Sequence, residues 1–160
     1  MATDIFLKLD GIKGESQDDK HKDEIEVVSF SFGASNFAKR SAGSGGGAGR
    51  VSLQDFHFVM RTNKASPTLF LSCASGKHIS SAVLSVRKAG GTQVDYLKYT
   101  FTDVLISSYQ TGGSSADVVP TDQISLNFIK LENTFTPQDD RGALQEPVTA
   151  SWDVLQNKAS

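Results

Sequence analysis

Gln93–Tyr109 reads QVDYLKYTFTDVLISSY, and the parity of its apolar residues decides the fold. Successive side chains of a strand point to opposite faces. Leu97, Tyr99, Phe101, Leu105 and Tyr109 share one parity, and Val104 and Ile106 take the other. A strand that is apolar on both faces in its second half must cover two surfaces or cross from one to another. Just upstream, Ala89-Gly90-Gly91 supplies a turn and Ile79–Arg87 an apolar partner, which together predict a hairpin.

The pattern extends in both directions. A first strand is expected over Thr3–Leu9, followed by a turn at Gly11 and Gly14. A second covers Ile25–Phe32, with Val28, Phe30 and Phe32 on the core face and Val27, Ser29 and Ser31 on the other. A third covers Arg50–Arg61, with Phe56, Phe58 and Met60 in step. Beyond the Gly112-Gly113-Ser114-Ser115 break, Asp122–Leu131 carries Ile124, Leu126 and Phe128 on one parity. The pattern then slips to Ile129 and Leu131, the mark of a bulge or a change of face. Asn133–Gly142 reads as loop, and Pro147–Leu155 as a last strand anchored by Val148 and Trp152.

One helix is predicted, over about Ser66–Gly76. Ser66 suits the cap, Pro67 the first helical position and Gly76 the left-handed terminus. The four-residue spacings Leu69/Cys73 and Phe70/Ala74 give it an apolar face. Many strands, one helix and glycine turns predict a mainly β fold, a barrel or sandwich with the helix on its side or end. The chain, 160 residues long, is expected to form a single domain.

Composition narrows the function. Lys and Arg number 16 against 18 Asp and Glu, so no basic excess points to nucleic acid or a membrane surface. The run ESQDDKHKDEIE, Glu15–Glu26, mixes signs without aromatics and reads as a solvated loop. Cys73 is the single cysteine, so no intrachain disulfide forms, and no metal-ligand spacing surrounds Cys73, His78 or His21. MATDIFLKLDG lacks the basic and apolar regions of a secretory signal, and no apolar run reaches membrane-spanning length. Export, if it occurs, is expected by a route that reads no such signal.

The loop RSAGSGGGAGR, Arg40–Arg50, holds five glycines. A phosphate cradle needs a following helix, and a Walker loop a Lys followed by Ser or Thr. Here Arg50-Val51-Ser52-Leu53 starts a strand. The loop is then either a flexible connection or a segment that orders against another subunit. Asp55 and His57 share a strand face, and with Asp103 they form the one set that a hydrolase or ligand-binding barrel would use. Nothing selects a nucleophile, and no catalytic, cofactor or metal residues are assigned.

Six blocks occur in order: DIFLKLDGIKGES, EIEVVSFSFGASN, GGGAGRVSLQDFHF, SPTLFLSCASGKHI, LSVRKAGG and VLISSYQTGG. Together they resemble the haemolysin-coregulated protein (Hcp) family of the bacterial type VI secretion system, over essentially the whole chain. The resemblance implies a small closed or nearly closed antiparallel β-barrel, a helix on its flank and a long glycine-rich loop. It implies a non-enzymatic subunit of a hexameric ring with a wide channel. Rings stack into a tube inside a sheath and behind a spike, with sheath, spike and baseplate proteins as partners, and carry or chaperone small effector proteins. The protein would reside in the bacterial cytoplasm before firing and be expelled, outside or into target cells, with its cargo. Neither nucleic acid nor membrane insertion is implied, and no cofactor.

The resemblance also suggests site residues. Gly33–Arg50 matches by position the extended loop that contacts the next ring, with Gly43, Ser44, Gly45, Gly46, Gly47, Gly49 and Arg50 as stacking residues. The second strand would face the channel, which makes Ser31, with Ser29, the cargo-facing position. The chain ends a few residues past its last strand, so it is expected to carry separate cargo and not to be a toxin itself. The alternative remains a monomeric β-barrel hydrolase or ligand-binding protein.

Overall fold

The computed structural model describes residues 2–36, 50–89 and 93–160. Along the chain run β1 (Thr3–Leu9), β2 (Ile25–Glu26), β3 (Ser29–Ser31), β4 (Ala34–Asn36), β5 (Val51–Leu53) and β6 (Phe56–Arg61). Helix α1 (Ser66–Ser75) follows, then β7 (His78–Lys88), β8 (Asp95–Gly112), β9 (Thr121–Asn127), β10 (Lys130–Phe135), β11 (Val148–Asp153) and β12 (Lys158–Ala159).

The long strand β8 organises the rest. One edge pairs with β7. The other pairs with β10 over Leu97–Thr102 and with β9 over Leu105–Gly112. Its parity changes at Asp103, which adopts a left-handed φ of 51°. Before this residue Phe101 points into the core; after it Val104 and Ile106 do. The two apolar parities of the sequence are thus successive inward faces of one strand. A bulge between Ile106 and Ser108 then turns Tyr109 inward and Ser108 outward.

Pairing runs around the molecule as β1–β7–β8–β9–β6–β3, and the chain from β3 back to β2 returns to β1. The result is a nearly closed antiparallel barrel. The expected strand Ile25–Phe32 is therefore two pieces, because it leaves β1 and joins β6 at Val27–Val28. The transfer corrects the predicted faces. Val27, expected outside, is buried, and Val28, expected in the core, is 57% exposed. Phe30 and Phe32 do pack against the core, and Ser29 and Ser31 are exposed. Inside, Phe101 lies between Phe56 and Phe128, with ring centroids 4.8 and 4.9 Å away.

The slip after Phe128 is the break between β9 and β10, where the strand opposite β8 changes its outer neighbour from β6 to β11. Asn133–Phe135, expected as loop, continues β10, because the first half of β8 offers it an edge. β11 falls within the expected last strand, but of its two expected anchors Val148 is exposed and Trp152 is only partly buried. β12 is too short to have left a periodic signal.

Helix α1 ends as its sequence predicts. Gly76 takes φ 66° and its N–H donates to the Ser72 carbonyl. Its start differs. Ala65 is the cap residue and no side chain caps the helix. Leu69 is buried and Cys73 packs on the core, while Phe70 points outward. The apolar face is thus narrower than the two spacings suggested.

The charged run is more than a solvated loop. Arg87, 3% exposed, donates to Asp18 and Asp4 and lies over the Phe6 ring. His21 stacks on the same ring at 4.4 Å, with Nδ1 2.9 Å from Glu24 and Nε2 3.1 Å from Asp95. Gly14 permits this packing, since a Cβ there would lie 2.5 Å from the Glu24 carbonyl oxygen. The hydrogen bond from Arg87 holds the Asp18 carboxyl down at about 2. A depressed carboxylate stabilises the fold above its ordinary range and loses that contribution as pH falls through the folded value. Melting temperature should therefore drop between roughly pH 4 and pH 2. Asp18→Asn should melt lower than the native chain at neutral pH and show a shallower acid drop; an unchanged acid limb would show that this clamp does not contribute to stability.

Candidate assembly and cargo surfaces

Inward packing of Phe30, Phe56, Phe58, Ile124, Leu126 and Tyr109 turns their neighbours outward. Register then aligns those neighbours across four strands. One row is Ser31, His57, Ser125 and Ser108. The next is Ser29, Val59, Gln123 and Gln110. These rows form a small-residue, polar outer face. His57 Nδ1 lies 3.2 Å from Ser125 Oγ. At one end of the face, Asp55 accepts from Ser107 Oγ at 2.6 Å and Asn127 Nδ2 at 3.3 Å. Arg61 stands at the other end of β6.

The structure does not bring Asp55, His57 and Asp103 together. Asp103 pairs instead with His78 Nδ1 at 2.8 Å, on an exposed part of the surface. Asp55 and His57 each bond a serine on a different strand. A nucleophile–base–orienter chain built on His57 needs a carboxylate on its imidazole, and among the described residues neither Asp55 nor Asp103 bonds that ring.

Beyond β3 and β6 the chain leaves the barrel as a separate ribbon. Ala34, Ser35 and Asn36 of β4 pair with Leu53, Ser52 and Val51 of β5. The joint is Gly33–Gln54, where the Gln54 N–H donates to the Gly33 carbonyl at 2.9 Å. Arg50, at the end of the ribbon away from this joint, is exposed. Gly43, Ser44, Gly45, Gly46, Gly47 and Gly49 lie outside the described residues.

A buried polar cluster was missed in the sequence. Asp122 is 0% exposed and accepts from Ser66 Oγ at 2.5 Å, Thr62 Oγ1 at 2.8 Å and Tyr109 OH at 3.1 Å. It ties the start of α1 to β8 and β9. Burial opposes its ionisation, but the donated hydrogen bonds together outweigh burial and lower its pKa. Burial, and then the Asp122 charge, push the Tyr109 hydroxyl up. The available signal was parity: Asp122 shares the inward phase of Ile124 and Leu126.

Comparison with known proteins identifies relatives of the whole arrangement. A family model described as "Type VI secretion system effector, Hcp" matches residues 6–135. "Protein hcp1" of Pseudomonas aeruginosa is 43% identical over 159 residues, covering 98% of each chain. The crystal structure of Hcp1 from Salmonella typhimurium is 40% identical, covers 100% of both chains and superposes with a TM-score of 0.83. A structure described as that of a type six secretion system protein is 29% identical, with a TM-score of 0.93 over 99% of this chain and 100% of that one.

Proposed function

The chain belongs to the Hcp family of type VI secretion proteins, a structural and not an enzymatic family, and on that premise we propose that it is the ring subunit of the secretion tube. Six copies close into a ring, rings stack into the inner tube, and small effector proteins travel in the lumen. The observation that carries the cargo role is the outer face of β3, β6, β9 and β8. Two aligned rows of serine, glutamine, histidine and valine offer hydrogen bonds without bulk. Ser31 and Ser29 belong to these rows, which supports their assignment to the lumen. Partners are other copies of the chain, the sheath, spike and baseplate of the same system, and the effectors. The protein is assembled in the bacterial cytoplasm and leaves the cell by this system.

Stacking is assigned to the ribbon of β4 and β5 and the glycine-rich segment between them, with Arg50. Glycine permits close approach to a neighbouring backbone, but ordering it costs conformational entropy. Ring stacking should accordingly be weak in dilute solution. Negative-stain images of concentrated protein should show six-fold rings and short tubes. Arg50→Ala, or deletion within residues 43–49, should leave rings and reduce tubes. Loss of the rings themselves would place these residues in the ring interface and overturn the stacking role.

A further inference from the structure

Across the two outward rows, His57 is the one titratable side chain. β3 contributes only Ser29 and Ser31, β9 only Gln123 and Ser125, and β8 only Ser108 and Gln110. Asp122 and Tyr109, on β9 and β8, point inward. The charged groups flanking β6 are Asp55 at one end and Arg61 at the other, and their formal charges cancel. Among the described residues, His57 is therefore the one side chain of these two rows that can carry a charge.

The other two histidines are placed differently. His21 lies between Glu24 and Asp95, and His78 against Asp103. The ring of His57 instead meets a neutral hydroxyl, Ser125 Oγ, at 3.2 Å. That contact uses Nδ1, and Nε2 takes part in none of the hydrogen bonds among the described residues. Histidine is also the side chain that ordinarily gains its charge between about pH 8 and pH 5.

We propose that His57 is the specificity-determining residue of this face, selecting cargo that presents carboxylates when the imidazole is charged and uncharged polar cargo when it is neutral. The inference rests on the reading of this face as the lumen of a ring. With a carboxylate against the imidazolium, the hydrogen bond is charge-assisted, and its neutral counterpart is weaker. Closure into a ring would place six such groups around one lumen, so a small preference at each would be multiplied.

The test uses two fluorescein-labelled peptides of equal length, one carrying glutamates and the other glutamines at the same positions. Their binding to purified rings is read by fluorescence anisotropy. At about pH 6 the glutamate peptide should bind native rings about tenfold tighter, relative to the glutamine peptide, than at about pH 8. His57→Gln rings should show the same ratio at both pH values, and His57→Lys rings should keep the preference at both. A pH-dependent preference that persists in His57→Gln rings, or its absence from native rings, would overturn the inference while leaving the ring reading intact. A native chain that forms no rings at all would overturn both.

Discussion

Asp122→Ala should cost about 3 kcal/mol of folding stability, among the largest effects of any single polar substitution in this chain. The carboxylate is fully buried and accepts hydrogen bonds from Ser66, Thr62 and Tyr109. Removing it strands the buried Ser66 hydroxyl, takes the acceptor from the half-buried Thr62 and Tyr109 hydroxyls, and loosens the start of α1 from the barrel. Asp122→Asn should lose less, since its amide oxygen still accepts while its amide group meets donors. The pH dependence has a definite sign. Because the folded pKa is lowered, the stabilisation is present above the ordinary carboxylate range and is lost as pH falls through the folded value. Urea unfolding of the three proteins at neutral pH measures the effect. A loss below about 0.5 kcal/mol for Asp122→Ala would show that the cluster is incidental.

Ser31→Trp should leave ring formation unchanged and abolish effector binding. Ser31 is exposed and stands directly opposite His57 in the cross-strand row, so an indole there covers its neighbours' hydrogen-bonding groups. In a ring the obstruction is repeated at each subunit. The fold should tolerate it, because the side chain points away from Phe30 and the core. The amount of effector recovered with purified rings after co-expression measures it. Undiminished recovery from intact Ser31→Trp rings would remove Ser31 from the cargo surface.

Sequence periodicity located β1, α1 and, within the expected strand Arg50–Arg61, β6, because each keeps one face to the core; β7 was located although its inward parity changes between Ile79 and Ala82. Periodicity failed where a strand changes neighbours. Val27 and Val28 exchange faces because the chain passes there from β1 to β6, and no local preference encodes that transfer. Within β8 the change of face did leave a trace, in the switch from Phe101 to Val104 and Ile106, although the left-handed residue between them, Asp103, is not a glycine. Ser29 and Ser31 were readable as outward-facing because Phe30 and Phe32 fixed the phase. The row that joins Ser31 to His57 and Ser125 was not readable, since it depends on register between strands far apart in the chain. Asp122 was on view as a carboxylate in an inward phase, but its three donors come from separate elements that only the fold brings together. The Arg87 clamp was hidden for the same reason: its carboxylates lie 69 and 83 residues away.

A ring of this chain has a mass in solution that separates it from a single copy. One copy weighs 17.2 kDa. Light scattering across the main size-exclusion peak should give about 100 kDa, the mass of a closed ring of six. A single species at the mass of one copy, persisting at high concentration, would contradict the ring, the lumen and the cargo role together.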